Sequence, residues 1–68
     1  MFIYIKDEDR LYNLDNELVI TLRCGALWLK HFKDDDKNAV MIKCGADSKE
    51  ALQHIVQYMT LENECITL

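Results

Sequence analysis

The chain has 68 residues, half of them apolar, with twelve acidic and eight basic side chains and a formal net charge of −4. That balance excludes a disordered tail and a protein that coats duplex DNA by bulk positive charge. No apolar run approaches the roughly 20 residues of a membrane-spanning helix.

A single domain, residues 1–68, is expected, and a core of that size contributes no more than about 3 to 5 kcal/mol, so self-association is a reasonable staple. Two glycines and no proline call for short loops. The N-terminal residues lack the pattern of a secretion signal, and three cysteines without a C-x-x-C pair read as free thiols of a cytoplasmic protein.

In chain order, residues 2–6 are rich in aromatic and β-branched side chains and read as a first strand. Treating Asp7-Glu8-Asp9 as a three-residue loop pairs Lys6 with Arg10, Ile5 with Leu11 and Tyr4 with Tyr12, and sends Ile3, Ile5 and Leu11 to the core. The second strand, residues 10–14, turns at Asp15-Asn16, which sets Tyr12 opposite Val19 and Leu11 opposite Ile20. The third strand, residues 17–24, meets the fourth, 27–32, through a type II′ turn at Gly25-Ala26. Cys24 then opposes Leu27, Leu22 opposes Leu29 and Ile20 opposes His31. An acidic loop leads to the fifth strand, residues 39–44, with His31 opposite Val40, Leu29 opposite Ile42 and Leu27 opposite Cys44.

Because side chains alternate along a strand, Leu18, Ile20, Leu22, Cys24, Leu27, Leu29, Val40, Ile42 and Cys44 form the expected core face. After Ala46 the period changes. Ala51, Leu52, Ile55, Val56 and Met59 recur at helical spacing, and Asp47-x-x-Glu50 resembles a capping box, so a helix is expected over about 48–61. The last residues, 64–68, suit a short edge strand. The fold class is therefore α+β: a five-strand antiparallel β-meander with one C-terminal helix on one face.

Catalytic and metal chemistry find little purchase. Zinc is usually announced by close-spaced Cys and His pairs, which His31, His54, Cys24, Cys44 and Cys65 do not form. The registers place Cys24 and Cys44 on alternate strands, their Cα atoms roughly 9 to 10 Å apart and too far for a disulfide. Asp34-Asp35-Asp36 are consecutive and cannot all aim at one ion, so they read as a solvated loop. No nucleophile with an assigned base and orienting acid stands out, and the reading is a non-enzyme without cofactor or metal.

The outer sheet face is the informative surface. It gathers Phe2, Tyr4, Lys6, Arg10, Tyr12, Val19, Arg23, Trp28, Lys30, Phe32, Met41 and Lys43, while the acids fall to the turns and helix. Tyr4, Tyr12, Arg23, Trp28, Lys30, Phe32, Met41 and Lys43 are the candidate binding residues. Aromatic anchors flanked by basic groups suit a protein interface, either a homodimer or an acidic partner. The same set suits single-stranded nucleic acid, with bases stacking on rings and Lys and Arg on phosphates. The bland alternative is a half-exposed sheet whose basic stems cover aromatic rings, Arg23 over Trp28 for example.

The run Lys6-Asp7-x-x-Arg10-Leu11-Tyr12-Asn13-Leu14-Asp15, with Asp47-Ser48-Lys49-Glu50-Ala51 entering a helix, resembles small uncharacterised bacterial and phage proteins built as a β-meander plus a C-terminal helix. The resemblance implies that fold and a microbial or phage setting, with no activity or site to carry over. The three cysteines are not part of that pattern. A small inhibitor of a host protein is one concrete form the binding reading takes.

Overall fold

A computed structural model describes residues 1–62 and 64–68. Strands β1 (Phe2–Ile5), β2 (Arg10–Asn13), β3 (Leu18–Arg23), β4 (Ala26–His31) and β5 (Val40–Cys44) lead into helix α1 (Ser48–Leu61), and strand β6 (Cys65–Thr67) follows. The sheet order is β5-β4-β3-β2-β1-β6, antiparallel except that β6 runs parallel to β1. The expected five-strand antiparallel meander is thus corrected to a mixed six-strand sheet. Its cause is the helix: α1 carries the chain across one face from the β5 edge to the β1 edge, where β6 arrives in the direction of β1. Parallel pairs need a crossover of this kind.

Helix α1 has the bounds that its apolar period implies. Leu52 and Val56 are buried, Ala51, Ile55 and Met59 half-buried, and Gln53 and Gln57 exposed. The capping box does not form, because Asp47 takes right-handed helical angles and its side chain caps no N–H. The buried centre comprises Tyr4, Leu11, Leu27, Leu52 and Val56, with Phe2, Ile20, Leu22 and Cys65 packed against it.

Turn geometry decides which registers match expectation. Between β2 and β3, Asn13 pairs with Leu18, Tyr12 with Val19 and Leu11 with Ile20, as read from the sequence. The Asn13 side-chain oxygen accepts from the backbone N–H of Asp15 at 3.1 Å, an Asx turn that fixes the hairpin. Between β1 and β2 the loop holds four residues, Lys6 to Asp9, with Asp9 left-handed at φ 51°. That extra residue slips the pairing by one, to Tyr4 with Leu11 and Ile3 with Tyr12. Every side chain of β1 changes face: Phe2 and Tyr4 go to the core, Ile3 and Ile5 to the outer side.

The β3–β4 turn is centred on Cys24-Gly25, both with positive φ (53° and 74°), a type I′ turn in place of the expected type II′ turn at Gly25-Ala26. The pairing moves by two residues, so Leu22 faces Leu27 and Ile20 faces Leu29. An even shift preserves the faces. It brings Leu27, only 1% exposed, beneath the helix, and it leaves Cys24, an expected core residue, exposed in the turn. Strand β5 departs most: Ala26 pairs with Cys44, Leu27 with Lys43, Trp28 with Met41 and Leu29 with Val40, with a bulge at Ile42. The expected core positions Val40, Ile42 and Cys44 are consequently exposed, because β5 is an edge strand that the helix does not cover.

Candidate interaction surface

Alternation from the observed registers puts Ile3, Ile5, Arg10, Tyr12, Val19, Thr21, Arg23, Ala26, Trp28, Lys30 and Met41 on the face away from the helix. One cross-strand row runs Ile5, Arg10, Thr21, Trp28, Met41, and Tyr12, Val19 and Lys30 form the next. Neighbours within such rows touch, which is how residues far apart in sequence become one surface.

Of the eight candidate residues, Tyr12, Arg23, Trp28, Lys30 and Met41 share this face. Tyr4 does not: the slip in β1 turns it under the helix, where it is 9% exposed and its hydroxyl pKa is raised by burial and by the Asp9 carboxylate beside it. Lys43 is opposite Leu27 and shares the face of Leu27, because the bulge at Ile42 reverses the alternation along β5. Phe32 lies just beyond β4, 39% exposed, its backbone N–H donating to the Glu17 carbonyl at 3.0 Å.

The chemistry of the face is concentrated around Trp28. The Arg23 guanidinium lies 4.9 Å from the Trp28 ring centroid, a cation–π contact, and the indole N–H donates to the Arg23 carbonyl at 3.2 Å. The acidic loop folds back over this pair. Asp36, in a short 3₁₀ turn (Asp36–Asn38), takes the Lys30 Nζ on one carboxylate oxygen at 2.7 Å and Arg23 on the other at 3.4 Å. Lys30 also donates to the Asp34 carbonyl at 3.0 Å. The Lys30 hydrogen bond, then the charges of Lys30, Arg23 and Arg10, hold the Asp36 carboxyl below its ordinary pKa. Arg10, Thr21, Trp28 and Ala39 complete a cleft with about 20 Å³ of free space, room for one water.

Sequence reasoning had Arg23 over Trp28, and it had Arg10 on this face without ranking it. It had Thr21 on this face too, again without ranking it, and it missed Asp36, read as a solvated loop residue. No periodic signal says where an irregular loop returns. Beneath the charged groups the face is closed: Val19 and Ala26 are 3% and 5% exposed.

The second surface is the β5 edge. All five of its residues are exposed, and Val40, Met41 and Ile42 retain 62%, 49% and 46% of their area. At the other edge β6 has only three residues, and half-buried Cys65 packs against the core.

All three thiols are free, and His31 and His54 are exposed. Among the described residues no three His, Cys, Asp or Glu side chains gather as metal ligands would, and no helix is long and apolar enough to cross a membrane. No family model, curated protein or solved structure matches the chain.

Proposed function

We propose that the chain is a non-enzymatic protein-binding module of the cytoplasm that associates with a second copy of itself along β5. The observation that carries this reading is an edge strand exposed over its whole length with three large apolar side chains, Val40, Met41 and Ile42. An uncovered strand edge offers unpaired N–H and C=O groups to another chain. Lys43 and the bulge at Ile42 weaken the C-terminal half of the strand as a template, so pairing concentrates on Val40 and Met41. Met41 also continues the edge into the outer face through its partner Trp28, which joins the apolar edge to the aromatic and basic residues. A chain of this size has little core of its own, which favours stabilisation by a second copy.

Light scattering on a size-exclusion column tests the proposal. The wild type should elute as a dimer, and Met41→Lys should elute as a monomer with an unchanged helical circular-dichroism signal. A wild type that stays monomeric at its solubility limit overturns self-association and leaves a different protein, an inhibitor's target for instance, as the partner.

Single-stranded nucleic acid on the outer face is a second reading, supported by the convergence of Arg10, Arg23 and Lys30 around Trp28. The acidic balance of the chain and the Asp36 carboxylate among those cations weigh against it. Its signature is binding that weakens steeply with salt and more gently so in Lys30→Ala.

A further inference from the structure

The cleft around Trp28 holds more donors than its one carboxylate can satisfy. Arg10, Arg23 and Lys30 bring three full positive charges, and Thr21 brings a hydroxyl, against Asp36 alone within the cleft. Outside the cleft, Arg10 also has the Tyr12 hydroxyl and the Glu8 carboxylate beside it, and Asp35 reaches Lys37 at 3.9 Å. Asp36 is gripped in the manner of a ligand, each oxygen taken by a different cation, at 2.7 Å and 3.4 Å. The cations stand on strands: Arg10 on β2, Arg23 on β3 and Lys30 on β4. The acceptor that Arg23 and Lys30 share comes from an exposed loop that contributes nothing to the core. A rigid set of donors filled by a movable acceptor has the organisation of an anion site closed by a tethered competitor.

We infer that Arg10, Thr21, Arg23 and Lys30 form a binding site for a phosphate group, occupied in the resting protein by the chain's own Asp36 carboxylate. Phosphate suits the site better than a second carboxylate does. It sets close to two negative charges at neutral pH against the three cations, where a carboxylate sets one, and guanidinium groups bind its oxygens in pairs. With about 20 Å³ free, a phosphate cannot enter beside Asp36, so binding requires the 3₁₀ turn to swing away. Such a swing breaks the ion pairs that Asp36, itself 62% exposed, makes with Arg23 and Lys30. The inference is independent of pairing along β5, and a monomer would show it equally.

Trp28 is the only tryptophan of the chain and lines the cleft, so its fluorescence reports on the site directly. The experiment titrates wild type and Asp36→Asn with inorganic phosphate, and separately with an oligothymidylate, against chloride at constant ionic strength. Asp36→Asn should give a saturable change in Trp28 emission at about tenfold lower phosphate than the wild type, because removing the internal competitor raises the fraction of open sites. Adding Lys30→Ala to Asp36→Asn should abolish the response. An oligonucleotide far tighter than phosphate would identify a strand backbone as the source of the group, and equal affinity per phosphate would identify a small phosphorylated molecule. Absence of a saturable change in folded Asp36→Asn with either probe overturns the site. If Asp36→Asn does not fold, the Trp28 indole N–H resonance of the wild type decides, since high phosphate must shift it where chloride does not.

Discussion

The two faces of this sheet are closed by different physics. On one side a helix lays Leu52 and Val56 onto Tyr4, Leu11 and Leu27, and closure comes from apolar area withdrawn from water. On the other an eight-residue loop, 32–39, returns Asp36 to Lys30 and Arg23 above Trp28, and closure comes from ion pairs and a cation–π contact whose Asp36 and Arg23 side chains stay exposed to solvent. The first kind resists salt and pH and fails when volume is removed. The second contributes little stability and is screened by salt. A molecule with both has one face that holds the structure and one that is free to change state.

The largest effect expected from breaking this contrast is on the helix side. Leu52→Ala removes a fully buried side chain and should cost about 2 to 5 kcal/mol, enough to leave much of the protein unfolded, with a urea midpoint whose loss is the same in low and high salt. A smaller effect of opposite sign comes from the one flaw on that side. Ser48 is fully buried at the start of α1 and its Oγ has no hydrogen-bond partner. Ser48→Ala removes that orphan hydroxyl and should raise stability by about 1 to 3 kcal/mol in the same urea titration. No change, or a loss, would mean that the hydroxyl is satisfied in solution.

The smallest effect belongs to the loop side. The Asp36 carboxyl titrates below its ordinary value of 3.8, so its contribution is present above that value and is lost as pH falls through the lower, folded one. Acidification should therefore change Trp28 emission below about pH 4, before global unfolding by circular dichroism, and added salt should shrink the change. In Asp36→Asn this early step should vanish, and its persistence would assign it to another carboxylate.

How far the sequence foretold this arrangement depends on what fixed each element. Helix α1 was legible to the residue because its apolar stripe, Ala51 to Met59, keeps helical spacing over about two and a half turns and no alternative phase buries Leu52 and Val56 together. The β2–β3 register was legible because Asn13 and the polar residues after it specify their own turn. The slip in β1 was not, since three- and four-residue loops both suit Lys6-Asp7-Glu8-Asp9, and both Ile3/Ile5 and Phe2/Tyr4 make a credible core pair. Strand β5 was misread for a related reason: Val40, Ile42 and Cys44 alternate as buried residues do, but nothing local says that the helix passes them by. The candidate surface was half legible. Strand alternation supplied Arg23, Trp28, Lys30 and Met41, whereas Asp36 reaches them through an irregular turn whose direction only the folded chain defines.

The parallel ladder between β1 and β6 bears on how the protein is made. Its bonds join the Phe2 N–H to the Glu64 carbonyl and the Leu68 N–H to the Tyr4 carbonyl, contacts between segments about sixty residues apart. A ribosome delivers β1 well before β6, with the whole of α1 between them. Throughout that interval β1 presents Phe2, Ile3, Tyr4 and Ile5 along an unpaired edge, and pairings so distant in sequence are slow to close. The nascent chain is thus most prone to aggregate just before β6 emerges, a window that slower translation through α1 lengthens.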